Sequence, residues 1–442
     1  MNLRDLWMRI GRSGFERCGY FLFAKVKISD IFTFMFVERK IQDLLNRLIK
    51  DNRILLLIGA RQTGKTTLLR YLKKKLDKAG ESVWFLTFED PLFLGDVNEH
   101  PEHLFQYVPK PSTGQSIFVL LDEIQYLKDP SNFLKYIYDL YHDQIKLIVT
   151  GSSAFYLDEK FHDSLAGRKR IVPIYPFCFS EFLTAKNRVD LAKEIEKDSF
   201  FSKGEKRSLL QPVRRELLLY LQEYVQFGGY PSVVLEEDLE EKRMRLQELH
   251  FSLLKKDVAD AGIKNEYAFY SVLKLLASQT GNLVNALELS NTVKVSRSAV
   301  DRYLSVLRKS FIIELCPPFH KNIRKELSKM PKYYFYDSGY RNVILNSFDA
   351  PTQRLDAGAT VENIFFAECR KAGKEVIQFW RTQNGSEIDF ILDANQAFEI
   401  KVDASRFSRS KYKPFTDGYP DISLSPVGWQ ENTYLEILDF CS

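Results

Sequence analysis

The chain has 442 residues, enough at about 150 residues per domain for roughly three folded units, so a lone small module is excluded. Apolar residues make up 45% and charged residues 27%, the balance of a globular protein with real cores rather than of a disordered chain. Lys plus Arg exceeds Asp plus Glu by only 63 to 58, too mild a surplus for a surface given over to nucleic acid, so any basic site must be local.

Residues 20–37 are rich in Phe, but Lys25, Lys27 and Asp30 interrupt them, leaving no apolar run of the about 18 residues a membrane helix needs. No membrane span is expected, and no small-residue cleavage site marks a secretory signal. The folded protein is expected to begin at Met35, with 1–36 an upstream extension; a membrane-surface helix is the alternative. Five scattered cysteines lack Cys-x-x-Cys spacing and six histidines lack His-Glu-x-x-His spacing, which argues against disulfides and zinc and for a reducing, cytoplasmic setting.

From Val37, Ile41, Leu44, Leu45, Leu48 and Ile49 fall at helical spacing and lead to Ile54-Leu55-Leu56-Leu57-Ile58, a continuous apolar run suited to a parallel strand buried on both faces. Gly59-Ala60-Arg61-Gln62-Thr63-Gly64-Lys65-Thr66-Thr67 follows, then a helical continuation. Strand, Gly-rich loop and helix in that order make a phosphate cradle: loop N–H groups wrap the phosphates and the helix start adds its dipole. Lys65 would reach the β and γ phosphates of ATP, and the Thr66 hydroxyl would ligate Mg2+.

A second apolar run, Ile117-Phe118-Val119-Leu120-Leu121, ends in Asp122-Glu123, acids that are costly there without a partner. Asp122 is expected on the metal and Glu123 as the base that polarises the attacking water. A third run, 146–150, ends in Gly151-Ser152-Ser153, where Ser152 could sense the γ phosphate. A fourth, 83–88, closes in Glu89-Asp90. Strands alternating with helical segments predict an open parallel sheet carrying its ligand at the carboxyl ends.

The phosphate loop, Leu120-Leu121-Asp122-Glu123-Ile124-Gln125, Thr150-Gly151-Ser152-Ser153 and Ser164-Leu165-Ala166-Gly167-Arg168, with Pro176-Phe177 and Ser180-Glu181-Phe182 beyond, resemble the prokaryotic AAA-type P-loop ATPases that carry a C-terminal domain of unknown function. The likeness runs from about Val37 to the C-terminus; Ala60 stands where that family commonly has Pro. It implies that Arg168, or Arg170 nearby, neutralises transition-state charge; a solvated basic turn is the competing reading. It also leaves room for a homo-oligomer.

Residues 187–262 are charged and helical in pattern, interrupted by Phe227-Gly228-Gly229-Tyr230-Pro231, a turn shared with the same family. Three short helices follow, over 271–278, 283–289 and from a cap at Ser296, and then a strand over 311–315, an order that suggests a winged helix-turn-helix. Arg302, flanked by Arg297 and Arg308, would form a basic face for DNA, while protein docking is the other use of such a unit.

In the last segment a helix holds Glu362, and two alternating strands around Asp389 and Glu399-Ile400-Lys401 read as a hairpin. Asp389 shares a face with Glu399 and Lys401 if the connection has three residues, and opposes Ile400 if it has four. The set resembles the acid and Glu-x-Lys core of restriction-endonuclease-like domains, with Asp389 and Glu399 on magnesium and Lys401 orienting water; an ordinary same-face ion pair is the alternative.

The sequence thus predicts an α/β protein: an extension (1–36), a P-loop NTPase parallel sheet with helices on both faces (37–185), a helical region (186–262), a winged-helix-like region (263–345) and a small α/β nuclease-like domain (346–442). The expected function is a nucleotide-driven ATPase switch or motor acting near DNA. The alternatives are an ATP-regulated, Mg-dependent nuclease and a slow-turnover regulatory protein.

Overall fold

A computed structural model describes residues 36–112, 114–151, 165–198, 200, 210–320, 330–382, 384–429 and 435–440. Contacts divide the chain into Met1–Phe36 and Val37–Ser442, and the architecture below is that of the second unit. The expectations for 1–35, Ser152, Ser153 and Ser164 lie outside the described residues.

Strands β1 (Ile54–Ile58), β2 (Val83–Thr87), β3 (Ile117–Asp122), β4 (Ile145–Gly151) and β5 (Lys169–Pro173) form a wholly parallel sheet in the order β2-β3-β4-β1-β5. This is the P-loop NTPase sheet that the apolar runs predict. Strand β4 is buried along its length and β1 nearly so, because helices cover the sheet. Leu56, Val119, Leu121, Phe133 and Ile137 form part of its core. Strand β2 stops at Thr87, and Asp90 caps helix Pro91–Glu99 by accepting the Leu92 and Phe93 N–H groups at 2.9 and 3.3 Å.

Four helices follow over Val189–Asp198, Gln211–Phe227, Pro231–Val234 and Leu239–Asp260. The break between the second and third needs both glycines. Gly228 has φ 77°, and a Cβ there would lie 2.0 Å from Asp337 Oδ1; one at Gly229 would lie 2.2 Å from the Phe177 carbonyl oxygen. The Gly229 N–H donates to Asp337 Oδ2 at 2.7 Å, and the Phe177 N–H donates to the Gly229 carbonyl at 2.8 Å. The chain leaving β5 and the helical region therefore meet backbone to backbone.

Helices Glu266–Ser278, Ala286–Val293 and Arg297–Lys309 precede an antiparallel pair, β6 (Ile313–Cys316) and β7 (Lys332–Phe335). Leu283, between the first two helices, bridges Lys332. Ser296 caps the third helix by accepting the Ala299 N–H at 3.2 Å, and Val300, Tyr303, Leu304 and Leu307 are buried. The strand begins at Ile313 rather than Phe311 because Phe311, at φ 57°, belongs to the turn.

The three arginines of the expected basic face each have a neighbour within the chain. Arg302 Nη2 donates to the Ala261 carbonyl, Arg308 pairs with Glu314 at 3.2 Å, and Arg297 lies 3.8 Å from Asp301 on its own helix. Arg308 is paired with a carboxylate, whereas Arg302 meets a neutral carbonyl and Arg297 is largely exposed, so these two keep their positive charge.

Helix Ala357–Lys371 covers a five-stranded sheet of β8 (Ile377–Arg381), β9 (Glu387–Leu392), β10 (Gln396–Lys401), β11 (Ser423–Gly428) and β12 (Leu435–Glu436), in the order β12-β11-β10-β9-β8. Phe365 stacks on Phe390 with ring centroids 4.9 Å apart, and their core continues into Phe182, Leu217, Leu221 and Tyr224. The helices leaving the first sheet thus share a core with the last one. Among the described residues no helix is long and apolar enough to cross a membrane.

Candidate nucleotide site

The loops after β1 and β3 and the end of β4 meet at the carboxyl ends of the parallel strands. Gly59 is required by close approach: Ile174 N–H donates to the Ile58 carbonyl at 2.6 Å, and a Cβ at Gly59 would lie 2.1 Å from the Ile174 carbonyl oxygen. Gly64, at φ 91°, is the left-handed residue that turns the loop into helix Lys65–Lys78. Ala60 is buried, and the Thr63 hydroxyl donates to its carbonyl at 3.0 Å. Gln62 also has positive φ, 61°.

Lys65 is buried and donates through Nζ to the Gly59 and Ala60 carbonyls at 3.0 and 2.7 Å. Burial pulls its pKa down to about 8, against the attraction of Glu123. A cation held by two neutral carbonyls inside a loop of N–H groups suits an incoming anion.

Thr66 Oγ1 donates to Asp122 Oδ1 at 3.2 Å, and Thr150 Oγ1, from the end of β4, donates to the same oxygen. Burial raises the Asp122 pKa while the two hydroxyls act to lower it. Thr150 also accepts the Glu123 N–H at 3.0 Å, and Glu123 sits in the left-handed region at φ 59° with its Oε2 held by the Gln125 side-chain amide. Thr150 ends the apolar run of β4, and a continuous buried run gives no sign of which residue meets Asp122.

Two arginines brace the loop from outside. Arg39, which sequence reasoning missed, donates to the Thr63 carbonyl at 3.1 Å, Glu181 at 3.0 Å and the Tyr175 carbonyl at 2.8 Å, and lies over the Phe177 ring. Arg61 points out of the loop to Asp257 and Asp260. Thr67 follows Thr66 in the first turn of the loop helix.

Arg168 is far from this edge. Its carbonyl accepts the Ile54 N–H at 2.8 Å, which puts it beside the start of β1 while the phosphate loop follows the end of that strand, roughly 16 Å on at 3.3 Å per residue. Its Nε donates to Asp139 at 2.7 Å, and Arg170 lies 3.8 Å from Asp51. Neither can neutralise charge on the nucleotide of its own chain, because they sit at the amino ends of strands whose carboxyl ends form the site.

In the C-terminal sheet the connection between β9 and β10 has three residues, Asp393, Ala394 and Asn395, the first two at φ 50° and 57°. The register Leu392↔Gln396, Ile391↔Ala397, Phe390↔Phe398 sets Asp389 opposite Glu399 at the next pair. Asp389 Oδ2 accepts the Ile400 N–H at 2.7 Å; Glu399 Oε1 accepts Lys401 Nζ and the Tyr412 hydroxyl, the latter at 2.7 Å. Glu362 Oε2 accepts the Tyr334 hydroxyl at 3.1 Å, and Lys332 pairs with Glu387. Burial, then Glu362 and Glu399, hold Asp389 well above the usual carboxylate range.

The four expected residues are therefore neighbours, joined by Lys332, Tyr334 and Tyr412, which come from other elements and leave no local signal. Among the described residues no three His, Cys, Asp or Glu groups converge to hold a metal. Asp389 and Glu399 are held by Ile400, Lys401 and Tyr412, and Glu399 Oε2 is buried without a hydrogen-bond partner among the described residues.

Residues 51–183 match a family described as an AAA domain; 219–350 and 357–427 match two domains of unknown function, DUF8612 and DUF4143. An uncharacterized protein of Haemophilus influenzae is 28% identical over 376 residues, covering 82% of this chain and 84% of the relative. One from Methanocaldococcus jannaschii is 24% identical over 394 residues, covering 87% and 82%. Among solved structures, AMPPCP-bound DnaA from Aquifex aeolicus is similar at 16% identity and TM-score 0.28, over 62% of this chain and 89% of that one. Cdc6p from Pyrobaculum aerophilum is similar at 15% identity and TM-score 0.27, over 72% and 97%. The AAA match falls on the parallel sheet and its phosphate loop, and the chain is similar there to P-loop ATPases.

Proposed function

We propose that the chain is an Mg-ATP hydrolase working as a nucleotide-driven switch. The observation that carries this reading is the meeting of the Thr66 and Thr150 hydroxyls on one oxygen of the buried Asp122, next to Lys65. Oxygen donors alone, one carboxylate and one hydroxyl, fit magnesium, which takes few protein ligands. Thr66 and Asp122 would hold it, and when bound it would supply charge neutralisation between the β and γ phosphates.

The residues divide the remaining work. Lys65 exchanges its carbonyl contacts for phosphate oxygens, and N–H groups of residues 60–67 wrap the chain of phosphates. Glu123, fixed by its left-handed backbone and by Gln125, orients water for in-line attack. Arg168, at the far pole, is available only to the nucleotide of a second copy.

The order helix, bridge, helix, helix, hairpin over 266–335 supports a winged-helix unit, a fold that can dock on DNA or on a protein. A buried junction suits relay to the last domain: the Tyr224 hydroxyl donates to Glu368 at 2.6 Å, and Glu368 accepts the Phe179 N–H at 2.9 Å.

The test is phosphate release from ATP, with GTP alongside. Glu123→Gln should lower turnover about 10²- to 10⁴-fold with nucleotide binding kept. Turnover that survives would overturn Glu123 as the base. Tight binding without turnover in the wild type would favour the slow regulatory protein instead.

A further inference from the structure

Helix Leu239–Asp260 ends with the wrong charge. The negative end of its dipole carries Asp257 and Asp260, and its last turn has no basic residue. The counter-charge comes from the phosphate loop: Arg61 Nε donates to Asp257 Oδ1 and Arg61 Nη2 to Asp260 Oδ2, each at 3.1 Å. Asp257 is only 4% exposed, and the Ser310 hydroxyl is the other polar side chain beside its carboxylate. Burial of that carboxylate is tolerable while Arg61 faces it, and costly once Arg61 leaves.

One residue beyond, the Ala261 carbonyl accepts Arg302 Nη2 from helix Arg297–Lys309. The same helix end is thus gripped by one arginine from the phosphate loop and another from the three-helix unit.

We propose that a nucleoside triphosphate and the Asp257–Asp260 pair compete for Arg61, so that filling the loop unseats this helix end and, through Arg302, loosens the three-helix unit. The inference rests on the nucleotide reading of the loop. A triphosphate brings several negative charges to the loop that holds Arg61, and its oxygens offer Arg61 the same charge-assisted, bidentate bonding as the two carboxylates. The two carboxylates, left at the negative helix end, then repel the loop. By linkage, whatever nucleotide binding does to the helix end, releasing that end must do to nucleotide affinity.

The test uses the full chain, with Asp257→Asn/Asp260→Asn and with Asp260→Asn alone, since Asp260 is partly exposed and safe for folding. Mg-ATP affinity is measured by calorimetry, and hydrogen exchange is followed over residues 239–262 and 297–309. In the wild type, nucleotide should speed exchange in both segments. The double variant should bind about 10-fold tighter, and Asp260→Asn about threefold, with exchange already fast and insensitive to nucleotide. Unchanged or weaker affinity in Asp260→Asn, or wild-type exchange that ignores bound nucleotide, would overturn the competition alone. A wild-type chain that binds no nucleotide would overturn the loop reading and the competition together.

Discussion

The chain sets lysines beside acids at the phosphate loop and in the C-terminal sheet, and the lysines have different partners. Lys65 donates to carbonyls, and burial pulls its pKa down to about 8. Lys332 and Lys401 feel the same burial, but Glu362, Asp389 and Glu387 around the first, and Asp389 and Glu399 around the second, outweigh it and raise their pKa values. A lysine facing neutral dipoles keeps its charge for an arriving anion. A lysine facing carboxylates is already neutralised, and an anion entering there would have to displace a side chain. Similar residue types therefore stand in two electrostatic settings, one lysine facing neutral carbonyls and two facing carboxylates.

Four changes would break or sharpen that contrast. The largest effect is expected from Asp122→Asn, which keeps the shape but removes the carboxylate: Mg-dependent turnover should fall about 100-fold, read by phosphate release across a magnesium titration. If turnover is unchanged, Asp122 is not a metal ligand.

Asp389→Asn should leave turnover as in the wild type and act on stability instead. Because the folded chain holds the Asp389 proton where the unfolded chain has released it, stability falls as pH rises past the ordinary carboxylate range. The asparagine variant should flatten that slope in denaturant titrations at successive pH values. A lowered turnover with an intact slope would mean that the two regions had been assigned the wrong roles.

His250 gives a smaller and opposite signal. Buried against Tyr340, it is pulled down to about 4, so its contribution is complete above its ordinary value and is lost as pH falls from about 6.5 toward 4. His250→Gln should shift acid unfolding to lower pH, while a midpoint that did not move would show that His250 is not strained. Smallest of all, Arg168→Ala should leave the Mg-ATP affinity of the isolated chain unchanged, since Asp139 holds Arg168 at the other pole of the sheet. A marked loss would contradict that placement.

How much was legible follows from how far each feature reaches along the chain. Strand, glycine loop and helix over 54–78 are contiguous, so the motif and the parallel sheet could be read residue by residue. The Asp389 register needed a count of loop residues, and both possible counts fitted until the positive φ of Asp393 and Ala394 closed the turn in three. Arg39, Thr150 and Asp257 reach Thr63, Asp122 and Arg61 across long stretches of sequence, with no local pattern to announce them. Arg302 is another such case: its position on the helix face was plain, but the Ala261 carbonyl that engages it was not.

The most direct measurement is Mg-ATP binding to the wild type and to Lys65→Ala by calorimetry. The account predicts one saturable site per chain, weakened about 100-fold or more by the substitution, with Lys401→Ala binding as the wild type does. Equal affinity in wild type and Lys65→Ala would contradict it.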